Sequence, residues 1–301
     1  MKILITGATG LVGKEIVAQC LKKNIDVHYL TTSKSKLEDE PHYKGFYWDP
    51  KSQNIDVKCF EGVDCIINLA GASISKRWTD SYKTQILESR LQALQFLKLT
   101  IVNQNISHIK HVVSASAIGV YPDSITNYYD ETSLEVSTSF LGKVVHEWET
   151  SVDTFSELGI TVSKVRIGLV LDAKGGALPE MVKPIKFGFG SAFGTGKQWQ
   201  SWIHVTDLAR LFVFILEENI EGVINGVAPN PVTNTELTKA VAKQLKRPLF
   251  LPNIPKVFMK LLLGEMHILL FESQRVSSNK IEDLGFNYAY YYINSALEDL
   301  L

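Results

Sequence analysis

Met1-Lys2-Ile3-Leu4-Ile5-Thr6-Gly7-Ala8-Thr9-Gly10-Leu11-Val12-Gly13 opens the chain, and its reading decides the fold. Ile3 to Ile5 form an apolar run too short for a helix and closed at once by glycine, which predicts a buried parallel strand. Lys14 to Lys23 then carries Ile16, Val17, Cys20 and Leu21 on one stripe at helical spacing. A strand, a glycine turn and a helix N-terminus make an anion site. Backbone N–H groups point outward, the helix dipole favours negative charge, and missing Cβ atoms let a pyrophosphate come close. The competing reading of the same glycines is a structural turn.

The spacing Gly-x-x-Gly-x-x-Gly after Thr6 differs from the Gly-x-Gly-x-x-Gly of many dehydrogenases. It resembles the extended branch of the short-chain dehydrogenase/reductase superfamily. Composition agrees with a soluble globular chain of one large domain or two modest ones: 301 residues, 45% hydrophobic and 21% charged. A net charge of −1 gives no electrostatic reason to expect nucleic acid or an anionic membrane as partner. No apolar run reaches the ~20 residues of a membrane span, and Met1 leads straight into a strand with no signal peptide. Cys20, Cys59 and Cys65 are scattered, as buried thiols in a reducing cytoplasm would be. The histidines do not cluster with acids at ligand spacing, so no metal site is expected.

Val27 to Leu30 reads as the second strand, whose end selects the cofactor. An acid there would bond the adenosine ribose and favour NAD. Thr31, Thr32, Ser33 and Lys34 stand there instead, and hydroxyls with nearby cations suit the 2′-phosphate of NADP(H). Phe46 to Trp48 and Val63 to Ala70 read as further strands, the latter ending in Asn68-Leu69-Ala70-Gly71, where small residues admit the cofactor's ribose. Leu91, Leu94, Leu97 and Ile101 mark a long amphipathic helix entered through Gln85 and Arg90. Ser116 falls at the carboxyl end of the strand from His111. Its hydroxyl either polarises a substrate carbonyl or caps a turn.

Short-chain dehydrogenases place Tyr-x-x-x-Lys on one helical face, where the lysine lowers the phenol's pKa. The corresponding helix, about Ser139 to Glu157, holds no tyrosine. One register gives Ser139-x-x-x-Lys143 and the other Leu141-x-x-x-Val145. Thr161 to Leu171 reads as a sixth strand reaching the nicotinamide half of the site. A glycine-rich, aromatic loop follows, from Gly175 to Trp199, and reads as a small-molecule lid or substrate wall.

Ten segments recur in order and carry a closer resemblance. The first five are Thr6-Gly7 to Gly13, Asn68-Leu69-Ala70-Gly71, Arg77-Trp78 with Ser89-Arg90, Ser114-Ala115-Ser116-Ala117, and Trp148-Glu149. Arg166-Ile167-Gly168, Gly175-Gly176-Ala177-Leu178, Trp202-Ile203-His204 with Asp207, Gly226-Val227-Ala228-Pro229 and Ser273-Gln274-Arg275-Val276 complete them. Over essentially the whole chain the sequence is similar to the atypical extended short-chain dehydrogenases named as epimerase-family or nucleoside-diphosphate-sugar-epimerase-like proteins. That resemblance implies an α/β doubly wound Rossmann domain over residues 1–171, with 203–228 returning to it, and a smaller carboxyl-terminal α+β substrate domain over 172–301. It implies NADP(H) held by Gly7, Gly10, Leu11, Val12, Thr31, Thr32, Leu69, Ala70, Gln85, Arg90 and Val170, with Thr9, Gly13, Ser33 and Gly71 adjoining. Thr32 stands where the family often has arginine. Gln200 stands where sugar-nucleotide epimerases commonly carry an arginine for the diphosphate, so sugar nucleotides are expected to bind poorly.

The expectation is therefore an NADP(H)-dependent oxidoreductase or epimerase-like enzyme acting on a small molecule. Trp78, Trp199, Gln200, Trp202 and His204 would line its substrate pocket, and Ser116 and Lys143 are the candidate catalytic residues. Trp199 and Trp202 have an alternative as core. The alternative function is an NADPH-binding sensor without turnover.

Overall fold

A computed structural model describes residues 1–301. Its first strand, β1 (Lys2–Thr6), buries Ile3, Leu4 and Ile5 completely. Around it lie β2 (Asp26–Thr31), β3 (Tyr43–Asp49), β4 (Cys65–Asn68), β5 (His111–Ala117), β6 (Thr161–Ile167) and a later strand, Gly222–Gly226. Seven parallel strands run in the order β3-β2-β1-β4-β5-β6 and then Gly222–Gly226, with short antiparallel pieces at Asp39–Glu40 and Asn54–Ile55 on the β3 edge. The chain is an α/β protein of the Rossmann type. Strand order reverses between β1 and β4, and ligands of such sheets sit at that crevice, outside the strands' carboxyl ends.

Helices α1 (Leu11–Lys22), α2 (Asp80–Asn103) and α3 (Phe140–Asp153) cover the sheet. The apolar stripe read in the sequence is the face α1 buries, through Ile16, Val17 and Cys20. α2 is capped by the Thr79 hydroxyl and α3 by that of Ser139, each accepting a first-turn N–H.

The strand expected from Thr161 to Leu171 breaks in two. At Gly168 a Cβ would lie 2.1 Å from the Ser201 carbonyl. Only glycine lets these backbones approach so closely, and there the chain leaves the large sheet. Beyond the break, β7 (Leu169–Leu171) pairs in parallel with β8 (Trp202–His204). These strands begin a smaller lobe with α4 (Ala177–Lys186), α5 (Val205–Glu217), β9 (the Gly222–Gly226 strand) and α6 (Asn234–Gln244) following in the chain. α5 and β9 return to the large sheet, where Leu208, Phe212 and Ile224 join its core. A second core gathers Leu178, Val182, Trp202, Leu237, Val241 and Leu297. Ile281, Phe286 and Tyr288, within the span expected for the smaller domain, also pack into the larger core. No helix is long and apolar enough to cross a membrane.

Candidate active site

Gly7 has φ +75°, a conformation costly for residues with a side chain, and a Cβ there would meet the Leu69 carbonyl at 3.0 Å. Gly13 is tighter still, since its Cβ would fall 2.2 Å from the Gly7 carbonyl. The turn therefore closes directly against α1. Gly10 begins that helix with no side-chain cap, which leaves the first-turn N–H groups of Leu11 and Val12 for a ligand. Thr9 is half-buried beside them.

Across the crevice, the Thr6 hydroxyl accepts the N–H groups of Leu69 (3.0 Å) and Ala70 (3.1 Å) and donates to Asn68 Oδ1 (2.8 Å). The Asn68 amide in turn donates to the Ser114 hydroxyl, 2.9 Å away. This relay ties the carboxyl ends of β1 and β4 to the middle of β5 and fixes the path of Leu69, Ala70 and Gly71. At the end of β2, Thr31 is buried and its hydroxyl accepts the Ser33 N–H. Thr32 and Lys34 are exposed beside it. Val170 is half-buried on β7, and Gln85 is exposed on α2.

Arg90 differs from the other cations. Its guanidinium stacks on Trp148 at 4.9 Å and donates to the carbonyls of Ile86 and Ala72, with no carboxylate partner. Its Nε is buried and unpaired. Burial pushes its pKa down to about 10. An unpaired guanidinium beside a phosphate-type cradle fits an anionic ligand.

Arg90 also lines a cavity of about 220 Å³ between the two lobes. Leu141, Val144 and Val145 of α3 form one wall, which identifies Leu141-x-x-x-Val145 as the register facing the site. The helical face that would carry phenol and ammonium is apolar. Lys143 is not brought there: it is exposed, because residues two apart on a helix point to different sides. Ser116 does not line the cavity either. It is 3% exposed and donates to Glu149 Oε1 at 2.5 Å. Arg166 grips the same carboxylate through Nε and Nη2, each at 2.9 Å, and Tyr121 through Nη1 at 3.0 Å. Burial alone would raise Glu149, but Arg166 and Ser116 hold it below its ordinary value. Against the same burial, the Glu149 pair lifts Arg166 above its own.

The five expected substrate residues separate. Trp199 and Gln200 line the cavity. Trp202 is fully buried in the second core, its indole donating to the Asn230 carbonyl. His204 caps α5 by accepting the Thr206 N–H and stacks on Tyr290 at 3.9 Å. Trp78 packs behind the wall with Ile86 and Val144. Arg275 stays outside, stacked on Trp199 at 4.4 Å and on Tyr128 at 5.0 Å. Sequence reasoning missed Trp148, Glu272 and Gln274, which do line the cavity. Trp148-Glu149 and Ser273-Gln274 were visible as motifs, but their local spacing carries no sign that they meet.

A Rossmann sheet with a phosphate-type cradle and an interlobe cavity defines a protein of the extended short-chain dehydrogenase class. The sequence profile of the NAD dependent epimerase/dehydratase family matches residues 3–149, and that of a domain of unknown function matches residues 254–300. An epimerase family protein of Staphylococcus haemolyticus is 36% identical over 100% of this chain and 99% of its own length. The structure of the human epimerase family protein SDR39U1 (isoform 2) with NADPH superposes with a TM-score of 0.85 at 27% identity, covering 100% and 99% of the two chains. That of a nucleoside-diphosphate sugar epimerase from Corynebacterium glutamicum gives 0.79 at 30% identity, with this chain spanning 58% of it. The chain belongs to the epimerase family and has its NAD(P)-binding fold.

Proposed function

We propose that this protein is an NADP(H)-binding oxidoreductase or epimerase-like enzyme acting on a small molecule in the cytoplasm. The observation that carries the reading is the junction of an uncapped α1 N-terminus with the Thr6-anchored Leu69–Ala70 backbone, flanked by an Arg90 that has no carboxylate. The residues fit a dinucleotide: Gly7, Gly10, Leu11 and Val12 would hold the pyrophosphate, and Leu69 and Ala70 the ribose. Thr31, Thr32, Ser33 and Lys34 would face the adenosine end without an acid, which favours the 2′-phosphate. When bound, the nicotinamide would supply hydride exchange. The chain's own part is to orient it, keep the cavity apolar and fix Arg90 for an anion. Three free, buried cysteines suit a reducing compartment.

A second reading, an NADPH-binding sensor without turnover, is favoured by Leu141 and Val145 standing where the proton machinery belongs. Mixing the protein with NADPH and carbonyl panels, while following the nicotinamide's absorbance, separates the two. Turnover of any panel member supports the enzyme. Tight NADPH binding with no absorbance loss across the panels supports the sensor.

A further inference from the structure

The interlobe cavity is small and nearly uncharged. Its 220 Å³ lies below the roughly 300–1,000 Å³ typical of sites for drug-sized ligands. Twelve of its nineteen lining residues are hydrophobic, and only Arg90 and Glu272 carry charge. One cation set against one acid leaves a diphosphate un-neutralised.

Glu272 comes from the far end of the chain, and its position is fixed. Its N–H donates to the Ile268 carbonyl. The next residue, Ser273, donates its N–H to Asp123 and its hydroxyl to the Ser124 carbonyl, and accepts the Trp199 N–H. The Gln274 amide donates to Glu272 Oε2 at 3.3 Å and to the Tyr121 carbonyl at 3.4 Å. The Ser201 hydroxyl then bonds the Gln274 carbonyl and accepts the Val276 N–H. The backbone around Glu272 is held on both sides and its carboxyl by Gln274, which preorganises it for a ligand. Burial, with Asp123 adding to it, raises the Glu272 carboxyl above the ordinary range, and Gln274, Ser139 and Lys256 oppose that rise. As the acid set against Arg90, Glu272 has carboxyl oxygens that accept from a ligand hydroxyl. Trp148 lines the same cavity, 7% exposed, with an indole N–H that has no protein acceptor.

We infer that this cavity binds an uncharged, mainly apolar small molecule bearing a hydroxyl group, and that Glu272, beside Gln274, accepts that hydroxyl's hydrogen bond. The inference rests on the reading of the protein as a small-molecule enzyme or sensor and names its ligand class.

The test titrates the full-length protein with a size series of aryl and alkyl ketones, the matching alcohols and carboxylates, and uridine diphosphate. Quenching of Trp148 and Trp199 reports binding, with NADP⁺ at saturation and again without it. At least one alcohol should saturate about tenfold more tightly than its matching ketone and carboxylate, and uridine diphosphate should not compete when NADP⁺ is present. Glu272→Gln should keep alcohol affinity within about threefold, because its amide oxygen still accepts, whereas Glu272→Ala should lose about tenfold. Melting curves establish that both variants fold. The inference is overturned by tighter binding of the carboxylate or diphosphate, by unchanged alcohol affinity in the Ala variant, or by silence toward every alcohol. NADPH calorimetry on the wild-type protein judges the functional reading separately, and the nucleotide-free titrations judge the ligand class even if that reading fails.

Discussion

The Ser116 hydroxyl has one proton, and Glu149 takes it. A serine committed to a buried carboxylate that is itself held by Arg166 acts as scaffold. Ser116→Ala should therefore cost about 1 kcal/mol of stability and leave NADPH affinity and any turnover unchanged. Equilibrium unfolding and kinetics on the same preparation check this, and a tenfold rate loss with unaltered stability would return Ser116 to the chemistry. Glu149→Gln breaks a buried ion pair and should cost about 3–5 kcal/mol, because Arg166 is left charged and half-partnered. Buried histidines supply a loss of stability toward acid, which the raised Glu131 and Glu272 carboxyls oppose in part. His111 is 1% exposed, bonds Ser163 through Nε2 and has an unpaired Nδ1. Burial pushes its pKa from 6.5 to about 4. The unfolded chain thus takes up this proton at higher pH than the folded one. The resulting stability is complete above pH 6.5 and is lost as pH falls toward 4. Burial lowers His28 and His204 too, so they act with the same sign. Urea midpoints should drop between pH 7 and 5, and His111→Gln should flatten that slope.

At the scale of the element, the turn between β1 and α1 depends on one side chain and several missing ones. Thr6→Val keeps the strand's shape but removes the acceptor of two N–H groups and the donor to Asn68. The expected loss is about 1–3 kcal/mol, with weaker NADPH binding because Ala70 is released and Leu69 keeps only the Thr6 backbone carbonyl. Calorimetry and urea unfolding read both effects, and an unchanged affinity would detach Leu69–Ala70 from the cofactor seat. These elements were legible because a strand, a glycine turn and an amphipathic helix each write a local period. The α3 register was not, since helical spacing alone permits Lys143 or Val145 on the working face. Nor was the break at Gly168, where the deciding contact is a carbonyl 33 residues onward, at Ser201. Trp202 and His204 read as pocket residues because aromatic and imidazole groups suit ligands. Their burial depends on partners such as Leu297 and Tyr290, far along the chain. Glu272 was invisible for the same reason.

At the scale of the whole molecule, two lobes meet over a cavity, and a ligand that binds only the folded form stabilises both. One at a hundred times its dissociation constant adds about 2.7 kcal/mol. The absence of an acid after β2 predicts at least tenfold preference for NADPH over NADH, so at equal concentration the two should differ by about 1.4 kcal/mol. For a chain of this size that corresponds to a melting difference of a few degrees. Gly10→Val places a branched side chain in the cradle, where even a Cβ lies 3.2 Å from the Gly7 carbonyl, and should abolish both shifts. Uridine-diphosphate sugars should give almost none, because Gln200 is neutral and Arg275 is stacked outside the cavity. Thermal melts of wild type and Gly10→Val with NADPH, NADH and a uridine-diphosphate sugar test all of this together. Equal shifts from NADPH and NADH would remove the 2′-phosphate argument. A full NADPH shift in Gly10→Val would place the cradle elsewhere. A large shift from the sugar nucleotide would mean that a cation reaches a cavity where only Arg90 now stands.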